Sequence, residues 1–319
     1  MLAREIIQRV REIQIRTGRQ VADVLAGEYT SVFKGRGIEF DEVRPYIPGD
    51  DIRSIDWNVT ARMGEPFVKR YVEERQLTVM VMADVSASQE FGSGSRSKRE
   101  AAAELCALIA FSANLSDDKV GLTLFHGGIE QYIPPRKGQK HSLRVVREVL
   151  THGLDTPEGQ AEKKTRGWRI PFLRSRRPRL GRDATDIGAA MEFLMKVTAR
   201  KSVCFVVSDF FDDGYEEALR SANRKHDVIA VLVTDPRELE LPGSGMIELR
   251  DAESGATALH DTGSKAFRKA FEQRANERVE SLRRRFASSG IDFIHVDASG
   301  SIVDPLIKFF RMRERRQRR

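Results

Sequence analysis

The stretch Leu77–Ser88, LTVMVMADVSAS, decides the fold. Seven uncharged, largely apolar residues run from Leu77 to Ala83 and end at Asp84. An amphipathic helix would repeat its apolar positions every three or four residues, and a half-buried strand would alternate. A short, unbroken apolar run is the pattern of a strand covered on both faces, as parallel sheets require. Beyond it Asp84, Ser86 and Ser88 recur at every second residue. An extended chain alternates its side chains, so the three are expected on one side. They stand just past the carboxyl end of the strand, where open α/β sheets place their ligands.

The same pattern repeats outward along the chain. KVGLTLF (119–125) and GIEQYIPP (128–135) predict two strands joined at His126-Gly127-Gly128, and SVCFVVSD (202–209), DVIAVLVTD (227–235) and IDFIHVD (291–297) predict three more. Between them, helical periodicity covers 97–115, 141–150, 183–199, 215–224, 264–288 and 303–313. MIELRDAESGATALHD (246–261) predicts a β-hairpin around Glu253-Ser254-Gly255. Strands alternating with helices predict an α/β fold with a doubly wound, mostly parallel sheet and helices on both faces. Upstream, residues 1–27 read as one amphipathic helix. Residues 28–75, broken by Gly35, Gly37, Pro45, Pro48 and Gly49, read as irregular. The expected organisation is an N-terminal helix and irregular segment (1–75) packed on a main domain (76–313). That domain carries a mobile basic insertion (156–182) and the 246–261 hairpin, and a basic tail (314–319) follows.

Composition bounds the function. The chain of 319 residues is 40% hydrophobic and 32% charged, as globular proteins are. It has no apolar run near the roughly 20 residues that a membrane helix needs, and MLAREIIQRVREIQIR has no signal-peptide core. A cytoplasmic protein without membrane insertion is expected. Cys106 and Cys204 sit in apolar runs and read as buried, reduced thiols. The net charge of +7 belongs to two places: nine basic residues against one acid in 161–182, and six arginines against one acid in 311–319. The rest of the chain has more acids than bases, which argues against a general nucleic-acid surface.

The chemistry gathers at strand ends. Asp84, Ser86 and Ser88 end one buried strand and Asp209 ends another. Thr185, in RDATDIG, opens the helix between them. Carboxylates and hydroxyls are hard oxygen ligands suited to Mg²⁺ or Mn²⁺, and no soft ligand stands near them in sequence. With two aspartates against a divalent charge, such a site keeps room for an incoming carboxylate.

D-x-S-x-S, a distant threonine and a strand-ending aspartate resemble the metal-ion-dependent adhesion site of von Willebrand factor A domains, which have a Rossmann-type fold. The resemblance implies that Ser86, Ser88 and Thr185 touch the metal, with Asp84 and Asp209 acting mainly through water. GRGIEFDEVRPYIPGDDIRSIDWNVTARMGEPFVKRY resembles the segment preceding such a domain in a bacterial family catalogued as domain of unknown function fifty-eight. Together the matches cover about residues 28–235. Gln89 departs where methionine often follows the second serine, and Phe210-Phe211 stand where adhesion domains often have glycine. Many members carry membrane helices, and this chain resembles a short, soluble one.

Other signals carry less. The acids Glu39, Asp41, Glu42, Asp50, Asp51 and Asp56 alternate with Arg36, Arg44, Arg53 and Arg62, and ion pairing within the loop is expected. Trp57 is expected to anchor this segment on the domain. GSGSRSK (92–98) lacks the ending of a phosphate loop and reads as a flexible lead into a helix. Six histidines show no metal-ligand spacing, and Trp168 and Phe172 read as part of a solvated basic loop.

The expected function is therefore a non-enzymatic, Mg²⁺-dependent protein-interaction module. The resemblance implies a MoxR-type AAA+ ATPase, or an acidic client protein, as partner in chaperone-like maturation. A metal-dependent phosphoesterase or nuclease is the alternative; against it stands the lack of a general base or a second acidic metal site near the strand ends.

Overall fold

A computed structural model describes residues 12, 17, 29, 38–73, 77–152, 185–250 and 257–317. The helix expected over 1–27, the insertion 156–182 and the hairpin turn at 253–255 fall wholly or largely outside these residues.

Where an irregular segment was expected, the chain forms an antiparallel pair, β1 (Ile38–Pro45) and β2 (Phe67–Glu73), with a bulge between Phe40 and Glu42. IEFDEVRP alternates as far as its bulge and FVKRYVE is rich in aromatic and β-branched residues, while Pro48, Gly49, Gly64 and Pro66 fall between the strands and Pro45 only at the end of β1. A short helix, α1 (Trp57–Met63), fills the connection. The Asp56 carboxylate accepts from Asn58 N (3.0 Å) and Val59 N (3.3 Å) at its start. Gly64 ends it at φ 77°, a conformation that favours glycine. Trp57 does not anchor the segment: it is 67% exposed, and Val68 is the buried residue instead. The expected ion pairing is met in part. Arg44 makes a two-pronged pair with Asp50 (2.8 and 2.7 Å), whereas Asp56 pairs with Lys69 (3.2 Å).

Six strands form the central sheet: β3 (Thr78–Asp84), β4 (Lys119–Phe125), β5 (Ile129–Arg136), β6 (Val203–Ser208), β7 (Asp227–Thr234) and β10 (Asp292–Asp297). The hairpin β8 (Met246–Arg250) and β9 (Thr257–Asp261) stands apart. The spatial order is β10-β7-β6-β3-β4-β5. All neighbours are parallel except β4 and β5. Strand order thus reverses between β3 and β6, and their carboxyl ends flank the crevice where doubly wound sheets bind ligands.

Helices cover both faces. Val79, Val81 and Ala83 of β3 pack with α2 (Lys98–Leu115), α3 (Gln139–Thr151) and α8 (Val303–Gln317). Met80 and Met82 face the other way, toward α4 (Ile187–Val197), α5 (Glu216–Lys225) and α7 (Lys265–Ser288). This two-sided burial explains why the strands carry no polar stripe. Helix α4 begins at Ile187 rather than Asp183, because the Asp186 carboxylate caps it by accepting from Ala189 N (2.8 Å). The expected basic tail is partly structural. Helix α8 runs on to Gln317, and Arg316 within the expected tail pairs with Asp292 (2.8 Å), beside Arg313, which reaches Asp227 (2.7 and 2.5 Å) and Asp292 (2.6 Å). Among the described residues, no helix is long and apolar enough to cross a membrane. Cys106 and Cys204 are buried and free, and burial pushes the Cys106 thiol up to about 12.

Candidate functional site

Asp84 is the last residue of β3, and its carboxylate is held on both oxygens. Oδ1 accepts from Ser86 N (2.9 Å) and Oδ2 from the Ser208 hydroxyl (2.6 Å). The chain does not stay extended after it: Ser86 caps a 3₁₀ turn over Ala87–Glu90. The turn still brings the hydroxyls of Ser86 and Ser88 to 2.9 Å, and Ser88 Oγ donates to Asp209 Oδ2 (2.7 Å). One connected row of oxygens therefore crosses the crevice from β3 to the end of β6.

Thr185 is buried just before α4. Asp186 N donates to His126 O (2.8 Å), beyond β4, and Ile187 N donates to the Asp212 carboxylate (2.9 Å), beyond β6. These two bonds fix the Thr185 backbone between the ends of the strands flanking β3. Four of the five expected residues, Asp84, Ser86, Ser88 and Asp209, meet directly, and Thr185 lies in the adjoining loop. Asp212 is an acidic side chain near this edge that the sequence did not single out.

Three further residues belong to the cluster. Ser208, one position before Asp209, donates to Asp84 and accepts from Phe210 N (3.1 Å). Arg278 on α7 donates to the Asp209 carbonyl (2.5 Å) and lies 3.6 Å over the Phe211 ring. Lys98, the first residue of α2, is the least expected. Its side chain is 0% exposed, and its ammonium donates to Asp209 Oδ2 (2.9 Å) and to Glu238 Oε1 (2.6 Å). Glu238 lies on a single turn of helix, α6 (Pro236–Leu239).

The loop that leads into Lys98 is tied down at several points. Asp235 accepts from Ser93 N (2.7 Å) and from the Ser93 hydroxyl (2.5 Å), and Ser97 and Glu100 form a capping box on α2. A lysine three residues past a glycine-serine run reads as solvated; only the fold shows two carboxylates from distant segments around it.

The electrostatics follow from burial. Asp84 is pushed up to about 7, first by desolvation and then by the nearby charge of Asp209, against the hydrogen bonds from Ser208 and Ser86. Desolvation alone would lower the Lys98 ammonium, but Asp209 and Glu238 outweigh it and raise it above its ordinary value. The departure after Asp209 also has a structural basis. Phe210 sits at φ 55°, where glycine is the unstrained choice. Its ring is held against Tyr215 (5.9 Å) and Phe286 (5.1 Å), and that packing offsets a backbone strain of roughly 1–2 kcal/mol.

The donor set fits a hard divalent ion: two buried carboxylates with neighbouring hydroxyls. Among the described residues, no group of three or more His, Cys, Asp or Glu is placed to hold a metal. An ion here would draw on Ser86, Ser88 and Thr185 as well as on Asp84 and Asp209.

The fold and crevice define an α/β protein with an oxygen-rich site at the strand-order reversal. The sequence pattern of the family described as "Protein of unknown function DUF58" matches residues 42–281, and the chain belongs to that family. It is similar to an uncharacterized protein of Mycobacterium tuberculosis, 27% identical over 307 residues, covering 96% of this chain and 89% of that protein. An uncharacterized protein of Mycobacterium avium is 27% identical over 131 residues, 41% of this chain and 77% of its own length. Among solved structures, conserved hypothetical protein BatB from Bacteroides thetaiotaomicron aligns with TM-score 0.43 and 16% identity, over 75% of this chain and 99% of that one. An aerotolerance-related membrane protein from Bacteroides fragilis gives TM-score 0.43 and 17% identity, over 74% and 99%.

Proposed function

We propose that this chain is a non-enzymatic, Mg²⁺-dependent protein-interaction module built on a von Willebrand factor A-like domain. The observation that carries the reading is the connected row Asp84, Ser86, Ser88 and Asp209 at the strand-order reversal. Asp84, Ser86, Ser88, Thr185 and Asp209 would hold Mg²⁺ or Mn²⁺. The ion, when bound, supplies a positive centre for a carboxylate from outside. Phe91 (45% exposed) and Phe211 (55% exposed) follow Ser88 and Asp209 closely in the chain and offer apolar contact beside that carboxylate. An acidic side chain with apolar neighbours is the epitope that such a surface suits. The resemblance to the MoxR-associated family makes a MoxR-type AAA+ ATPase, or its acidic client, the partner we propose.

Two measurements test this reading. Calorimetry with Mg²⁺ should show one weak site, and the Ser86→Ala, Thr185→Ala double variant should lose it. Binding as tight as wild type in that variant would refute the ligand assignment. Co-purification with the host's MoxR-type ATPase should be lost with chelator and regained with Mg²⁺. Retention through Asp84→Ala would refute the metal as the docking element.

A further inference from the structure

Lys98 is a full positive charge sealed inside the protein at the edge of the oxygen cluster. Its position is built from several directions. The Ser97–Glu100 capping box fixes the start of α2, and Lys98 N donates to Phe91 O (2.9 Å), which closes the 91–98 loop. Its ammonium has two anionic partners, and they are not equivalent. Asp209 Oδ2 also accepts the Ser88 hydroxyl. Glu238 is anchored independently: its other oxygen accepts from Asp235 N (3.0 Å), and Asp235 in turn holds Ser93.

The Asp209 oxygen that faces Ser88 is therefore already engaged by a cation of the protein's own. A divalent ion drawing on Asp209 must share that carboxylate with Lys98 or take it over. In the second case the ammonium is not stranded, because Glu238 still holds it at 2.6 Å. A buried charge that kept no partner would make the exchange prohibitive.

We infer that Lys98 is a built-in competitor for Asp209, a positioning residue that weakens divalent-ion binding and hands its charge to Glu238 when the ion enters. This rests on the metal-site reading proposed above and adds the device that sets its affinity. In the ion-free protein Lys98 neutralises Asp209 and keeps the crevice assembled; in the loaded protein Glu238 carries the ammonium.

Substitutions on the two sides of the lysine should act in opposite directions. In Lys98→Met the competitor is gone, and Mg²⁺ measured by calorimetry on the full chain should bind at least about tenfold tighter than to wild type. In Glu238→Gln the ammonium leans on Asp209 alone, and Mg²⁺ should bind about threefold weaker or worse. A merely structural role would weaken binding in both. Because Lys98 is sealed from solvent, the gap between Lys98→Met and wild type should persist from about 0.1 M to about 1 M salt, where exposed charges are screened. Lys98→Met should also melt lower than wild type without metal and regain more of its Tm with Mg²⁺. Equal or weaker binding in Lys98→Met, or a gap that closes in salt, overturns the inference. Should Lys98→Met not fold, Glu238→Gln decides: affinity equal to or tighter than wild type overturns it. If wild type and both variants bind neither Mg²⁺ nor Mn²⁺, the metal-site reading itself fails, a result distinct from the others.

Discussion

His226 makes the stability of this protein depend on pH in a direction its position alone would not suggest. It caps the C-terminus of α5, where a helix dipole favours a cation by about 0.3–1 kcal/mol. Burial acts the other way. The ring is 2% exposed, Nδ1 is 2.9 Å from the Ser202 hydroxyl, and Nε2 has no hydrogen-bond partner among the described residues. The protonated ring would carry N–H on both nitrogens, that on Nε2 with no partner among the described residues, and desolvation followed by repulsion from the positive Lys225 lowers the imidazole to about 4. The unfolded chain takes up this proton near pH 6.5, and the folded one only near 4. The unfolded state therefore binds more protons between those values, and stability falls as pH drops through the window. From pH 7 to pH 5 the loss attributable to His226 is about 2 kcal/mol. Urea unfolding of wild type and His226→Gln at both pH values isolates it, because other carboxylates and histidines titrate alike in both chains. The wild-type advantage should shrink by about 2 kcal/mol at pH 5. A difference independent of pH would refute the argument, and one that widened at pH 5 would reverse its sign.

Four more outcomes follow from particular contacts. Gly121→Ala should destabilise by about 1–3 kcal/mol, because its Cβ would stand 2.6 Å from Met80 Sδ in a filled core; an unchanged Tm would show that Met80 has room to move. Arg313→Ala removes the shared partner of Asp227 and Asp292 and should cost about 2–4 kcal/mol in urea unfolding. Trp57→Ala should change stability by less than about 0.5 kcal/mol, because the ring is exposed, and a larger loss would mean that it does anchor its segment. A Phe91→Ser, Phe211→Ser variant should keep its Mg²⁺ affinity within about twofold while losing retention on the proposed ATPase, and unchanged retention would remove the aromatic rim from the docking surface.

What the sequence made legible was whatever depends on near neighbours. The unbroken apolar runs at 77–83 and 203–207 named the central strands because two-sided burial leaves no polar stripe to obscure them. The every-second-residue spacing of Asp84, Ser86 and Ser88 marked the site, although the backbone turns at Ser86 and the hydroxyls meet through a 3₁₀ turn rather than an extended chain. The pair β1 and β2 was obscured because glycines and prolines crowd the segment between two short, charged strands. Lys98, Glu238 and Arg278 were invisible for another reason. Their partners lie far away in sequence, and a buried lysine has no local signature: in SRSKRE it reads as one charge among several. For Ser208 a signal did exist, since a serine next to a strand-ending aspartate faces the neighbouring strand end.

The charges of the crevice explain why those residues belong together. Asp84 and Asp209 end strands that are neighbours in the sheet, so the topology brings two carboxylates into a place with little water. Burial first, and then the nearby charge of Asp209, raise Asp84 to about 7. The protein divides the problem. Asp84 is stabilised by neutral donors, the Ser86 amide and the Ser208 hydroxyl, whereas Asp209 takes a full charge from Lys98 and, through its carbonyl, a contact from Arg278. The asymmetry leaves Asp84 as the carboxylate with no basic side chain among its hydrogen-bond partners here and Asp209 as the one already engaged. On the metal-site reading proposed above, a cation would meet only neutral donors at Asp84, Ser86 and Ser88 and a competing ammonium at Asp209. If the proposed interaction module is correct, such an arrangement suits reversible, moderate capture, so that a bound partner can also be released.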